Sequence, residues 1–187
     1  MPQKTIIAVT GASGAVYAKR LIETLQQRSD QFAEIALIFS ENGSKVWEYE
    51  LGSPGLFSKP VMVYDNADMF APVASGSAAY STMIVVPCTM GTLGRIAAGT
   101  SPDLICRAAD VMLKERRKLI LVPRELPYSL IHIENMRTVT LAGGIILPAS
   151  PSFYSIPKCI DDLVLTVVNR ILDIAGIETE HYRWGDE

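Results

Sequence analysis

Apolar residues follow two alternating rhythms along this chain. Four short runs, "KTIIAVT" (4–10), "EIALIFS" (34–40), "TMIVVP" (82–87) and "KLILVP" (118–123), are almost continuously apolar. They read as strands buried on both faces. Between them the apolar positions recur at helical spacing. Residues 15–28 place Ala18, Leu21, Ile22 and Leu25 on one face. Ile160, Leu163, Val164, Val167, Val168, Ile171 and Leu172 form a longer stripe of the same kind, with Asp161 and Asp162 near its start, where the helix dipole favours acid. Further helices are predicted over 41–50, from after Pro87 to about Ala98, over 102–116 and over 129–141. Ser101 is the expected cap of the third of these, with Pro102 in its first turn. "VMVY" (61–64) reads as a short strand and "GIILP" (144–148) as the last one, and the Gly/Pro/Ser stretch 52–60 reads as a loop. Strands alternating with helices predict an α/β fold, a mainly parallel sheet with helices on both faces.

Bulk properties narrow the function classes. The chain has 187 residues, 49% of them hydrophobic and 20% charged, which suits one domain with a substantial core. A net charge of −3 gives no electrostatic reason to expect nucleic acid, and the basic cluster "KERRK" (114–118) reads as a solvated helix end. No apolar run approaches the ~18 residues of a membrane span. Gly11, Ser13 and Gly14 interrupt the first run, so it reads as a strand and turn of a cytoplasmic protein rather than as a signal peptide. The cysteines Cys88, Cys106 and Cys159 form no C-x-x-C, and His132 and His181 lie far apart, so no zinc site is expected. The thiols read as buried residues of a reducing compartment.

In a parallel sheet, ligands bind beyond the carboxyl ends of the strands. Those ends carry "TGASGA" (10–15), Ser40, "PCTMGT" (87–92), "PRELP" (123–127) and "PASPSFY" (148–154). Polar and small residues gather at all five, which points to one composite site. A Gly-rich turn before a helix suits a phosphate. Thr89, Met90, Gly91 and Thr92 supply uncharged donors suited to phosphate, ribityl hydroxyls or a flavin carbonyl edge. Arg124 is able to grip a phosphate bidentately, and Glu125 is either its salt-bridge partner or an acid/base group. The small-residue loop "APVASGS" (71–77) suits the floor of a planar ring. A short-chain dehydrogenase is disfavoured: Ala15 stands where its last glycine belongs, and Pro157 breaks the helix that "YSIPK" would need.

Taken together, "TGASGA", "VPCTMGTLGRIAAG", "RAADVMLKERRKLILVPRELPYSLIHIENM", "PASPSFY" and "YRWG" resemble the UbiX-type flavin prenyltransferases from about residue 4 to residue 185. The stretch from Arg107 to Met136 is the most specific. The resemblance implies a flavodoxin-like or Rossmann-like single domain and a homo-oligomer, usually a dodecamer. It implies transfer of a dimethylallyl group from dimethylallyl phosphate to N5 and C6 of reduced FMN, without metal. The prenylated FMN would serve a UbiD-type decarboxylase. Carried onto this sequence, it implies FMN contacts from Gly11, Ala12, Ser13, Ser40, Thr89, Met90, Gly91, Thr92, Arg107 and Arg124. Tyr154 and Arg170 would bind the prenyl phosphate, with Lys114 beside them and Trp184 walling the pocket. Glu125 and Glu50 take acid/base roles, with Glu48 an alternative to Glu50, and Ser13 and Lys114 join them in catalysis. The rivals are an FMN-dependent cysteine decarboxylase, whose catalytic histidine has no counterpart before His132, and a non-catalytic flavin-binding subunit.

Overall fold

Six strands, β1 (Gln3–Val9), β2 (Phe32–Phe39), β3 (Val61–Asp65), β4 (Thr82–Cys88), β5 (Lys118–Pro123) and β6 (Ile145–Ile146), pair in the order β3-β2-β1-β4-β5-β6, all parallel. This is a computed structural model that describes every residue except Met1, Tyr182, Trp184, Asp186 and Glu187. The helices are α1 (Ala15–Gln26), α2 (Glu41–Leu51), α3 (Met90–Ala97), α4 (Leu104–Lys114), α5 (Leu130–Leu141) and α6 (Ile160–Ala175).

Strand alternation divides the core in two. Ile7 and Val9 of β1 face Leu21 and Ile22 of α1 and Val167 and Ile171 of α6. Ile6 and Ala8 face the other way, toward Leu93 of α3 and Leu104, Ala108 and Met112 of α4. The central strands β1, β4 and β5 are therefore covered on both faces and have no wet side to mark with polar residues, whereas the edge strand β3 leaves Met62 and Val63 exposed.

The chain winds outward from β1 to β3, then returns to place β4 on the other flank of β1. The crevice between the carboxyl ends of β1 and β4 is thus the switch point at which such sheets bind ligands. Thr10 holds it together. Its hydroxyl donates to the Pro87 carbonyl at 2.7 Å and accepts from the Thr89 N–H at 2.8 Å. The residue is only 2% exposed, so both bonds work away from water.

Three local expectations change. The cap of α4 is Asp103, which accepts from the Cys106 N–H at 2.9 Å, and not Ser101. An ionised carboxylate in the N-cap position outcompetes a hydroxyl two residues earlier, and the helix starts later as a result. The last strand shrinks to two residues, although Leu147 and Ala149 still donate to Leu121 and Pro123; the nitrogen of Pro148 between them falls on the open edge of the sheet, where no ladder bond is lost. Cys159 is exposed, whereas Cys88 and Cys106 are buried, with burial pushing their thiols up to about 12 and about 11. Helix α5 buries only Val139 and leaves Leu130, Ile131, Ile133 and Leu141 open to solvent.

Thr10→Val removes both bonds of the clamp while keeping the side-chain shape. It leaves the Thr89 N–H without that acceptor and the Pro87 carbonyl with only the longer bond from the Thr10 backbone N–H at 3.3 Å, so urea denaturation is expected to show a loss of about 1 kcal/mol.

Candidate active site

Three helices begin side by side at the carboxyl edge of β1, β2 and β4, and each start leaves N–H groups without intrahelical partners. Ser40 caps α2, accepting from the Gly43 N–H at 3.0 Å. Thr89 caps α3, accepting from the Thr92 N–H at 3.1 Å. Helix α1 has no hydroxyl cap. Its amides are met instead by the Glu50 carboxylate, which accepts from Gly14 at 3.0 and 3.1 Å and from Ala15 at 2.8 Å. The nest that "TGASGA" offers to an anion therefore holds a side-chain carboxylate from the end of α2. Glu50, not Glu48, is the acidic residue at the turn.

Beside it, Ser13 is exposed and its carbonyl accepts from Arg124 Nε at 3.1 Å. This bond ties the end of β5 to the first turn. The neighbouring Glu125 accepts from the Leu126 N–H at 3.1 Å, and no ion pair joins Arg124 to Glu125. The salt-bridge reading of this pair therefore does not hold. Arg124 and Glu125 both stand exposed, each with polar atoms left for a ligand.

Other predicted residues prove structural. Gly11 is small because α2 packs on it: a Cβ there would lie 2.6 Å from the Asn42 Cβ. Ala12 is buried, and the Met90 side chain belongs to the core. The Thr92 hydroxyl is buried between Thr89 Oγ1 at 2.9 Å and Arg95 at 3.3 Å. Met90 and Thr92 thus have only main chain to offer. Gly91 differs. It is exposed inside a helix, where glycine costs about 0.5–1 kcal/mol relative to alanine, and a Cβ there would meet nothing closer than Arg95 Nη1 at 3.8 Å. Neither packing nor backbone requires it, so its smallness serves whatever approaches from outside.

The remaining candidates stand elsewhere. Arg107 lies in α4 with its guanidinium on the Ala74 carbonyl at 3.1 Å and on Asp110 at 2.8 Å. Lys114 ends α4 and pairs with Glu115. It comes four residues before β5 begins, at the amino edge of the sheet, opposite Ser13. The loop 71–77 also descends to that edge, and Gly76 makes room for the Glu115 side chain rather than for a ring. Tyr154 and Arg170 line a cavity of about 900 Å³ between the segment 147–158 and α6. The cavity is not continuous with the Ser13 turn. Arg20 of α1 pairs with Asp161, and Arg170 lies nine residues further, about 14 Å along the helix. The expectation of one composite site at five strand ends therefore fails within a single chain: the residues fall into three separate places. Trp184 lies outside the described residues. His132, unassigned at first, completes the cap of α5, accepting from the Ser129 N–H at 3.3 Å.

The donor set at the carboxyl edge fits FMN. Ser13 and the hydroxyls of Ser40 and Thr89 suit ribityl and ring carbonyl atoms, the Arg124 guanidinium suits a phosphate, and Gly91 leaves room for close approach. Among the described residues, no group of three or more His, Cys, Asp or Glu side chains is placed to hold a metal ion, and no helix is long and apolar enough to cross a membrane.

Comparison with known proteins shows the family. Residues 1–172 match the family described as Flavoprotein. Flavin prenyltransferase UbiX of Methanocaldococcus jannaschii is 46% identical over 185 residues, 97% of this chain and 98% of its own length. The UbiX of Pseudomonas aeruginosa is 41% identical, covering 100% of this chain and 96% of its own length. A crystal structure of AnUbiX in complex with FMN and dimethylallyl pyrophosphate superposes with a TM-score of 0.92 at 39% identity, covering 100% of both chains. Peptidyl-cysteine decarboxylase EpiD, at 19% identity and a TM-score of 0.61, shares the fold alone. The chain belongs to the flavoproteins and, within them, to the UbiX-type flavin prenyltransferases.

The capping role separates the two candidate acids. Glu50→Ala strips the acceptor from the Gly14 and Ala15 amides, so urea denaturation is expected to show a loss of about 1 kcal/mol. Glu50→Gln, which keeps one acceptor oxygen, is expected to lose less. Glu48→Ala, on an exposed face, is expected to stay within about 0.5 kcal/mol of the parent chain.

Proposed function

We propose that this chain transfers a dimethylallyl group from dimethylallyl phosphate to reduced FMN, without a metal ion, and that the product serves a UbiD-type decarboxylase in the cytoplasm. The observation that carries the reading is the exposed Arg124–Glu125 pair, whose members leave β5 together without neutralising each other. A binding scaffold has use for the arginine alone. A carboxylate left unpaired beside a flavin site has a use in proton transfer.

Bound reduced FMN supplies two nucleophilic positions, N5 and C6, to which the two ends of the allyl group bond. The chain's own residues do the rest. Arg170 and the Tyr154 hydroxyl hold the phosphate and stabilise its charge as the allylic C–O bond breaks. Ser13 and Arg124 orient the acceptor at the carboxyl edge. Glu50, fixed by three N–H contacts, faces that edge as an immobile carboxylate. The departing phosphate would take the proton given up at N5 with the first bond, and Glu125 would relay the proton given up at C6 with the second to the middle carbon of the allyl group, whose double bond that closure consumes.

One chain does not place Lys114, Arg170 and Ser13 together, so the reading also requires several copies. Lys114 of one copy would reach the phosphate held by another. The apolar side chains left open on α5, and Met62, Val63 and Phe70 at the β3 edge, suit such contacts. An E. coli relative, 39% identical with a TM-score of 0.88, is a dodecamer, and we propose the same assembly here.

Incubation with reduced FMN and dimethylallyl phosphate is expected to give a flavin heavier by one isoprene unit by mass spectrometry, with the same yield in excess chelator. Glu125→Gln keeps the side-chain shape but does not take up a proton at neutral pH. It is expected to slow product formation about 10²–10⁴-fold while FMN affinity stays within about twofold. Weakened FMN binding at near-normal turnover would instead make Glu125 a support for Arg124.

A further inference from the structure

The cavity that holds Tyr154 and Arg170 is walled on one side by the end of the chain, and one carboxylate makes that wall. Helix α6 stops at Gly176, whose φ of 79° reverses the backbone. Ile177 then buries itself against the core, and the chain returns alongside the helix. At that return Asp173 collects two side chains. Its Oδ1 accepts from Arg183 Nη2 at 3.0 Å, and its Oδ2 lies 3.1 Å from His181 Nε2. The other ring nitrogen of His181 lies 2.9 Å from the Thr179 hydroxyl. The His181 side chain is 9% exposed and that of Asp173 21%, whereas Arg183 is half open.

Asp173 follows Arg170 by three residues, so the two share a face of α6. Both line the cavity, and so do His181 and Arg183. The position therefore does two things at once. It holds His181 and Arg183 together, and it stands one helical turn from Arg170, the residue assigned to the donor phosphate. Burial pushes the Asp173 carboxyl up, but its bonds to Arg183 and His181 outweigh that and hold it below the usual aspartate range. With Lys158 and Asp162 at the far end, the cavity carries three cationic side chains against two carboxylates.

We propose that Asp173 and Arg183 form a latch that holds His181 and Arg183 against the donor cavity, so that Asp173 is a positioning residue and Arg183 a further contact for the donor phosphate. The inference rests on the donor reading given above for Tyr154 and Arg170. It makes donor affinity, rather than flavin affinity, the property that the latch controls. Arg183 makes the phosphate contact, and Asp173 acts only through it.

The test is calorimetric binding of dimethylallyl phosphate to the FMN-loaded protein, with steady-state kinetics alongside. Asp173→Ala and Arg183→Ala are each expected to weaken donor binding and raise the donor KM about tenfold, the scale of one charged hydrogen bond. FMN affinity should stay within about twofold. Because both act through one contact, the double variant is expected to be no weaker than either single variant. A role confined to stability would lower Tm and leave donor affinity unmoved, which overturns the proposal, as would losses that multiply in the double variant. Arg183 is half exposed, so its variant reports even if Asp173→Ala folds poorly. Absence of a prenylated product from the unaltered chain, with the donor effects intact, would strike the functional reading alone. Normal product with unchanged donor affinity in both variants would strike the latch alone.

Discussion

The site depends on the unsatisfied N–H groups of three helix starts crowded at one edge of a parallel sheet. Parallel pairing of β2, β1 and β4 leaves α2, α1 and α3 no other place to begin. Each start carries partial positive charge and open donors. Ser40 and Thr89 answer two of them from within their own turns, and Glu50 answers the third from the far end of α2. That third answer ties α1 to α2 and brings a carboxylate to the flavin edge. The Thr10 clamp then fixes the spacing of the β1 and β4 turns. Under the proposed function, capping and proton handling would draw on the same carboxylate, and a substitution there would act on both.

Charge is distributed so that no part works alone. The carboxyl edge holds one guanidinium, Arg124, beside two carboxylates, Glu50 and Glu125. The α6 cavity holds Arg170 with the Asp173–Arg183 pair, and Lys114 stands at the opposite edge paired with Glu115. Ionising an allylic phosphate needs a concentration of positive charge around the leaving group. A lone chain that kept those cations unpaired in one pocket would bear their mutual repulsion throughout folding. In the proposed assembly, dividing them among separate surfaces would postpone that cost until the copies meet, where apolar contact by α5 would offset it.

Much of the architecture is legible from periodicity alone. Continuous apolar runs flanked by turn residues marked the strands, and the stripe from Ile160 to Leu172 marked α6, because burial on both faces and on one face leave different repeats. One predicted helix start shifted where two nearby residues competed for one role, as Ser101 and Asp103 did for a cap. Residue type and position at strand ends single out Ser13, Ser40, Arg124 and Glu125, and the family resemblance alone singles out Tyr154 and Arg170. Neither singles out Asp173, whose role depends on a reversal at Gly176 that brings residues eight and ten positions later back onto it. A glycine closing a long amphipathic helix, followed by His and Arg, was the available signal.

The sequence by itself determined the order of elements, the two-faced burial of the strands and the chemical class of the groups at their carboxyl ends, because each follows from local spacing and side-chain type. Only the tertiary structure decided which of those groups meet. Glu50 rather than Glu48 caps α1, Arg124 turns to Ser13 rather than to Glu125, and Lys114 and Arg170 stand far from both. The reason is geometric. A helix carries its two ends to opposite edges of the sheet, so residues read as neighbours in a motif are separated by the length of the element between them, and distant ones are joined where the strands end.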